Sequence, residues 1–295
     1  MPSRTGWTVT LSAPVTIKTS AAIGGVKEED GPLGSCFDIL LQDDRFGEKS
    51  WERAESKMQR EVFLCALNKA QLSTADIDYV LAGDLLNQCI SSSFGLRESG
   101  RPFFGVYGAC STMAESLLMA SMAVGGGFRD RVVAMTSSHF ASSERQYRFP
   151  LGYGGQRTPT SQWTVTGAGA ALVCREGDGP LITSCTVGTV MDLGIKDANN
   201  MGAAMAPAAL ATIRSHFDDM KSSPDDFDLI VTGDLGQLGK EVLLTMAQRD
   251  GMQLGGKLTD CGTMIFDVLK QSIDSNLKDG NPRGHRNLII VMEEL

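Results

Sequence analysis

Hydrophobic and polar positions switch several times along the chain between strand spacing and helix spacing. Residues Trp7 to Ile17 alternate as in a strand, and the small, Gly-rich stretch Thr19 to Lys27 predicts a turn beneath a neighbouring element. Ser50 to Lys69 predicts an amphipathic helix with Ser50 as its cap. Its apolar positions recur at helical spacing: Trp51, Ala54, Met58, Val62, Cys65 and Ala66. Asp76 to Leu85 then predicts a short buried strand that ends at a glycine and a carboxylate.

The middle of the chain continues this alternation of strands and helices. Pro102 to Val106 predicts a strand, and after a turn of small residues Met113 to Val124 predicts a helix with Cys110 at its start. The glycines at 125 to 127 end that helix, and Arg131 to Thr136 returns as a strand. Two antiparallel strands are expected next: Trp163 to Cys174 and Leu181 to Val190.

A repeat with a period of 150 residues sets the predicted architecture. Asp226 to Leu235 reproduces the pattern of Asp76 to Leu85, and the helix Ala206 to Met220 precedes it as Ser50 to Lys69 precedes the first copy. Residues 286–292 echo residues 129–135. We therefore predict two α/β units, 1–190 and 191–295. We expect the second to be truncated, because it has fewer residues before the echo strand and no counterpart of the closing strands.

Composition fits an α/β protein and argues against some partners. Of the 295 residues, 42% are hydrophobic and 21% charged, as in ordinary globular proteins. The formal net charge of -8 includes no basic block, which disfavours nucleic acid as a partner. Seven scattered cysteines indicate reduced thiols rather than disulfides or a zinc site. No apolar run approaches the roughly 18 residues of a membrane span, and no signal peptide is evident, so any membrane attachment is expected to be peripheral.

Cys110 is the first candidate for chemistry. The positive end of a helix dipole and its unpaired N–H groups stabilise a thiolate, and the same groups can hold a carboxylate or an oxyanion. Cys110 is therefore a nucleophile, part of an anion-binding pocket, or a structural thiol among small residues. The residues alone leave these three alternatives open.

Other candidates follow the predicted strand ends, where α/β proteins bind ligands. Asp84 ends the first buried strand and is either a site residue or a helix cap. His139 follows Arg131 to Thr136 and is either a ligand or a satisfied structural residue. The loop after it joins Arg145 and Arg148, whose guanidinium groups match carboxylates, to aromatic residues that can stack on a flat ligand, Tyr147 and Tyr153. Its alternative is a solvated surface loop.

Several motifs, in one order, resemble the stage V sporulation protein AD family, whose fold is that of thiolases and ketoacyl synthases. They include residues 27–34 (KEEDGPLG), 81–88 (LAGDLLNQ), 108–112 (GACST), 136–139 (TSSH), 144–146 (ERQ), 153–156 (YGGQ), 201–209 (MGAAMAPAA) and 260–262 (DCG). The resemblance runs from about Trp7 to Phe266. It implies duplicated α/β units in a layered αβαβα arrangement.

The resemblance also implies a function. Members of this family are understood to bind dipicolinic acid, alone or with calcium, for its uptake into the developing spore, together with other stage V sporulation A membrane proteins. Asp84 and Cys110 are carried over as pocket residues, and His139, Arg145, Arg148 and Tyr153 are added as ligand candidates. No catalytic residue, cofactor or protein-bound metal is expected. The implied location is the forespore or spore, peripheral at the inner spore membrane, with a role extending to germination.

The chain departs from the family pattern in its second half. It lacks the Gly-rich, Cys-containing helix start after Asp260 to Gly262 and the later segment that carries a further histidine. Two alternatives to non-catalytic binding therefore remain. One is an acyltransferase of thiolase type with Cys110 as nucleophile, and the other is a degraded paralogue with only an interaction role. By analogy with the fold, a homodimer is expected.

Overall fold

The structure is a computed structural model that describes residues 2–147, 162–197, 200–267 and 288–291. Its larger sheet has eight strands in the order β1-β2-β7-β6-β4-β5, with β3 and β8 also paired to β2. These strands are β1 (Ser3–Thr5), β2 (Thr8–Gly24), β3 (Ile39–Leu40), β4 (Tyr79–Gly83), β5 (Phe103–Gly105), β6 (Arg131–Ser138), β7 (Gly167–Cys174) and β8 (Leu181–Thr186). Strands β4, β5 and β6 are parallel, whereas β7 is antiparallel to both β6 and β2.

Eight α-helices lie within the described ranges. They are α1 (Val26–Glu29), α2 (Trp51–Lys69), α3 (Ile90–Leu96), α4 (Thr112–Gly125), α5 (Phe140–Tyr147), α6 (Met201–Met220), α7 (Gly236–Arg249) and α8 (Cys261–Ile265). The predicted helix with its cap at Ser50 is confirmed as α2, because the Ser50 side chain accepts a hydrogen bond from the backbone N–H of Arg53 at 3.3 Å. The helix predicted after Cys110 is confirmed as α4.

The larger sheet is covered on both faces, as strand alternation requires. Val80 and Ala82 of β4 face the apolar cluster that includes α2, whereas Leu81 between them faces the cluster that includes α4. In β6, Val133 and Met135 face α2, and their neighbours face α4 in the same way. The helix that begins beside Cys110 therefore lies on the opposite face of the sheet from α2.

Strand β2 is longer than the sequence pattern predicts. It continues to Gly24 and pairs with the small residues of β7, so the prediction of a turn within Thr19 to Lys27 was wrong for its first six residues. Small side chains serve a packing purpose here, because Ala21, Ala168 and Ala170 let the larger residues of α2 approach the sheet. The strands predicted at Trp163 to Cys174 and Leu181 to Val190 form as the shorter β7 and β8, but they are not antiparallel partners of each other, because each pairs antiparallel with β2.

The predicted duplication is confirmed by a second, parallel sheet with the order β10-β9-β11. Its strands are β9 (Leu229–Thr232), β10 (Leu258–Asp260) and β11 (Leu288–Val291), and they correspond to β4, β5 and β6. The turn before the middle strand is the same in both copies. Ser73 with Asp76, and Ser223 with Asp226, form a capping box at the start of a short 3-10 helix.

Strand register corrects the expected shortening of the second copy between its strands. Val80 pairs with Phe103 and Val133, so 30 positions separate the flanking strands in the first copy. Ile230 pairs with Leu258 and Ile289, and the corresponding separation is 31 positions. Counted between the paired strands, the second copy is therefore not shorter than the first.

The two copies meet through α6. The predicted boundary at residue 190 lies between β8 and α6, in a stretch where residues 187–197 form neither helix nor strand. The Asp219 carboxylate of α6 accepts the N–H of Trp7 at 2.8 Å and both the N–H and the hydroxyl of Thr8, at 3.0 and 2.8 Å. The Thr8 hydroxyl also bonds Thr186, which in turn bonds His216 Nδ1 at 2.8 Å.

Among the helices of the described ranges, none is both long and apolar enough to cross a membrane.

Candidate functional site

Cys110 lies in a 3-10 turn, Ala109–Ser111, which connects β5 to α4 at the carboxyl end of the parallel strands. Ala109 has a φ of +48°, which is rare for a residue with a side chain. Hydroxyl groups fix the turn, because Ser111 donates to Gly108 O at 2.7 Å and Thr112 donates to Ala109 O at 2.9 Å. The Cys110 side chain is half-buried and packs against the apolar cluster of the second copy.

The Asp84 turn adjoins the Cys110 turn through Gly83. A Cβ atom on Gly83 would collide with Val106 O and would lie 2.5 Å from the Thr112 methyl group. Glycine at the end of β4 thus allows the two turns to touch. The turns that carry Asp84 and Cys110 thus adjoin at the carboxyl edge of the parallel strands, where α/β proteins bind ligands.

The Asp84 side chain is 1% exposed and fully engaged with its own turn. Oδ1 accepts the N–H of Leu86 at 2.9 Å. Oδ2 accepts the N–H of Ser92 at 2.8 Å and the Ser92 hydroxyl at 2.6 Å. Asp84 therefore stabilises the connection between β4 and α3 by accepting hydrogen bonds from residues of that connection and of α3.

Backbone strain is concentrated in this connection. Gln88 and Cys89 are consecutive residues in the left-handed region, with φ of +62° and +50°. Such conformations cost on the order of 1 kcal/mol or more each and persist where the surroundings hold them. The Asp84 carboxylate and the bond from the Cys89 thiol to Val106 O at 3.4 Å provide that support.

A buried polar network extends from Asp84 across the sheet end to α5. Gln59 Nε2 of α2 lies 3.0 Å from Gly83 O, 3.1 Å from Ser92 Oγ and 3.0 Å from Ser137 Oγ. The Ser137 hydroxyl donates to Glu55 Oε1 at 3.0 Å, and the Ser142 hydroxyl donates to Glu55 Oε2 at 2.7 Å. Glu55 and Gln59 are site residues that the sequence did not predict. Their spacing could have indicated their burial, because Glu55 and Gln59 lie one helical turn apart and next to the apolar positions Ala54 and Met58 of α2.

Burial dominates the electrostatics of Glu55. Its side chain is inaccessible to solvent, and desolvation raises its pKa from 4.5 to about 7, assisted by the nearby charge of Asp84. The hydrogen bonds from Ser142 and Ser137 oppose this shift. The carboxyl group can therefore exchange a proton near neutral pH inside the fold.

His139 is buried and has both ring nitrogens bound to the backbone. Nδ1 accepts the N–H of Ala141 at 3.2 Å, so Nε2 carries the proton and donates to Asp44 O at 2.7 Å. Burial lowers the pKa of the ring, which keeps it neutral. In this geometry His139 orders the start of α5. Its predicted role as a ligand residue stays a prediction.

The remaining candidates lie on or beyond α5. Arg145 belongs to α5, which follows directly from the end of β6 and so starts at the same sheet edge as the Asp84 turn. Its side chain, like Arg148 and Tyr153, lies outside what the structure describes. Their roles in binding stay predictions.

A further set of residues joins the first copy to the end of α8. Glu28 is buried and accepts the N–H of Thr166 at 2.9 Å, and burial raises the pKa of its carboxyl group. The Lys27 ammonium lies 2.9 Å from the centroid of the Trp163 ring, which packs edge-on against Phe266 at 5.4 Å. These contacts place residues of the KEEDGPLG motif against the second copy.

The two histidines of the described residues, His139 and His216, both bond to other groups of the fold. His139 uses both nitrogens, and His216 Nδ1 bonds Thr186 while burial lowers the pKa of its ring. All seven cysteines lie within the described ranges as reduced thiols. No group of three or more His, Cys, Asp or Glu residues in those ranges has metal-binding geometry.

Comparison with known proteins identifies the family of the chain. A family model described as stage V sporulation protein AD matches residues 5–278. The stage V sporulation protein AD of Bacillus subtilis strain 168 is 45% identical over 253 residues, covering 86% of this chain and 75% of that protein. The chain belongs to the stage V sporulation protein AD family. Its relative is thus named for sporulation and not for an enzymatic activity.

Solved structures with a similar fold come from condensing enzymes. The 3-oxoacyl-[acyl-carrier-protein] synthase III of Aquifex aeolicus is 13% identical, with 84% of each chain covered and a TM-score of 0.51. Xanthomonas campestris OleA is 14% identical, with 85% of this chain and 84% of that chain covered and a TM-score of 0.57. At these identities the likeness establishes the thiolase-like α/β fold alone.

Proposed function

We propose that this protein binds dipicolinic acid, alone or with calcium, as a non-catalytic step in the uptake of that acid into the developing spore. The ligand is a flat pyridine ring with two carboxylates. The observation that carries the proposal is the meeting of the Cys110 and Asp84 turns at the start of α4. A fourteen-residue helix directs its N-terminal N–H groups there, and such groups attract carboxylates.

The two pocket residues have different roles in this proposal. Cys110 lines the pocket at the helix start. Asp84 acts by holding the strained turn beside it, because its oxygens already accept three hydrogen bonds. Arg145 and Arg148 are proposed to pair with the second carboxylate, and Tyr153 is proposed to stack on the ring.

A calorimetric titration with dipicolinate, with and without calcium, tests this proposal. Benzene-1,3-dicarboxylate is the matched control ligand, since it has the same two carboxylates without the ring nitrogen. We expect saturable binding of dipicolinate that weakens in Cys110→Ala and in Arg145→Ala while both variants remain folded. No binding by a folded parent protein would overturn the proposal.

The second candidate function is acyl transfer through Cys110. The strained φ of Ala109 and the position of the cysteine before α4 favour it, since helix starts activate thiols. Against it stands the engagement of His139 and His216 by other groups. Mass spectrometry after incubation with an acyl thioester decides the matter: acylation of Cys110 that is lost in Cys110→Ala would support an enzyme. A protein that neither binds nor is acylated would leave the interaction role of a degraded paralogue.

The proposed partners are a second copy of the chain and the membrane proteins of the stage V sporulation A group, with the protein peripheral at the inner spore membrane. Strand β5 is an edge of the larger sheet, and exposed apolar side chains surround it: Ile90, Phe94, Phe104 and Tyr107. Pairing of two β5 edges would cover them. Light scattering tests this, since a Phe104→Asp variant should be monomeric under conditions in which the parent protein is a dimer.

A further inference from the structure

The network centred on Glu55 links two parts of the proposed site. On one side, Gln59 and Ser92 lead to the Asp84 carboxylate and its strained turn. On the other side, Ser142 belongs to the first turn of α5, the helix that carries Arg145. The Glu55 side chain thus belongs to a network of hydrogen bonds that reaches both the Asp84 turn and the first turn of α5.

The hydroxyl of Ser142 allows this network to hold Glu55 in either protonation state. When Glu55 is ionised, Ser137 and Ser142 both donate to it. When Glu55 is protonated, its own O–H can donate to Ser142, because the Ser142 hydroxyl has a second acceptor, His139 O, at 3.3 Å. Proton exchange with solvent therefore reverses one hydrogen bond and leaves no donor without an acceptor.

We propose that Glu55 is a positioning residue whose protonation sets the hydrogen bonding between the Asp84 turn and the start of α5, so that ligand binding at the adjoining site depends on pH. This inference rests on the proposed function for its ligand. The proton moves between Glu55 and bulk solvent, and no other group needs to change its charge.

The charged groups around Glu55 give the direction of the effect. Asp84, in the connection that packs on α2, is a second buried carboxylate and disfavours the ionised form of Glu55. Ser137 of β6 and Ser142 of α5 donate to it, and His139 before α5 is neutral. Strands β2 and β7 present apolar residues to α2. The structure does not describe the side chains of Glu144 and Arg145.

Ionisation of Glu55 therefore places two like charges in one buried network. Because burial raises the pKa of Glu55 to about 7, this change occurs near neutral pH. We expect the Asp84 turn to be held best when Glu55 is protonated. Affinity for a dicarboxylate, which is itself fully ionised near neutral pH, should then fall as the pH rises through the pKa of Glu55.

The test is the affinity for dipicolinate between about pH 6 and about pH 8.5. A coupling of half a pKa unit corresponds to about a threefold change, so the parent protein should bind about threefold or more weakly at the upper end. In Glu55→Gln, which resembles the protonated carboxyl, the profile should be flat. Glu61→Gln is the matched control, because Glu61 is a partly exposed residue of the same helix that pairs with Arg60, and its profile should follow the parent.

Two further measurements distinguish failure of the inference about Glu55 from failure of the proposed function. Ser142→Ala removes a hydrogen bond that lowers the pKa of Glu55, so the midpoint of the profile should move to higher pH. Hydrogen exchange of the Leu86 and Ser92 amides needs no ligand, and their protection should fall with pH in the parent relative to Glu55→Gln. Identical exchange in parent and Glu55→Gln, or an unchanged binding profile in Glu55→Gln, would overturn the inference. Absence of binding with the expected exchange would instead overturn only the proposed function.

Discussion

The stability of the protein should depend on pH through Glu55, and the substitution Glu55→Gln isolates that dependence. The folded pKa is raised from 4.5 to about 7 because the carboxyl is inaccessible to solvent. A raised folded pKa means that the native state binds the proton more tightly than the unfolded chain. The stabilisation is therefore fully present below about pH 4.5 and is lost as the pH rises through about 7.

The size of the effect follows from the shift. At about 1.4 kcal/mol per pKa unit, the full contribution is about 3 kcal/mol, most of which is lost between about pH 5 and about pH 8. Glutamine at position 55 does not titrate. The free energy of unfolding of the parent minus that of Glu55→Gln should thus fall by most of this contribution over the same range.

Denaturant unfolding at several pH values measures this difference directly. Any constant cost of the amide cancels, because only the change with pH is compared. Glu61→Gln, at a partly exposed position of α2, should give a difference that stays constant within about 0.5 kcal/mol. A parent minus Glu55→Gln difference that is equally constant would refute the argument that burial controls this carboxyl.

Three further substitutions test contacts that stabilise the fold, each by denaturant unfolding. Asp84→Ala should lower the free energy of unfolding by about 3 kcal/mol, because three donors lose their acceptor, and a fully stable variant would contradict its structural role. Gly239→Ala should cost about 2 kcal/mol, since its Cβ would lie 2.7 Å from a backbone atom of α6, whereas Gly255→Ala has open space and should be neutral. Asp219→Ala should cost about 2 kcal/mol by releasing the contacts of α6 with β2, and the exposed Asp218→Ala should not.

Periodicity and repetition predicted the elements that depend on burying an apolar face. Helix α2 follows from its apolar spacing and its Ser50 cap, and the second sheet follows from the repeat of Asp76 to Leu85 at 226–235. The turn at Cys110 was also predictable, because small residues between a strand and a helix allow few other arrangements.

The interior of the site was not predictable in the same way. Asp84 was recognised as a strand-end carboxylate, but its three hydrogen bonds come from residues two and eight positions later in an irregular turn. Glu55 and Gln59 were missed because polar residues on an amphipathic helix normally face water. Serines on three separate elements make their burial possible, and sequence spacing does not reveal which hydroxyls will meet.

Asp84 and Asp234 occupy equivalent positions in the two copies of the repeat, but the carboxylate that binds the turn after the strand is not the equivalent one in the second copy. In the first, Asp84 binds its own turn from the end of β4. In the second, the buried carboxylate that accepts the N–H of Leu235 belongs to Asp260 of the neighbouring strand β10, and it also caps α8. An equivalent sequence position thus does not guarantee an equivalent role. The strained turn, the buried Glu55 network and the long helix start at Cys110 occur together in the first copy, which is why the proposed binding site is assigned there.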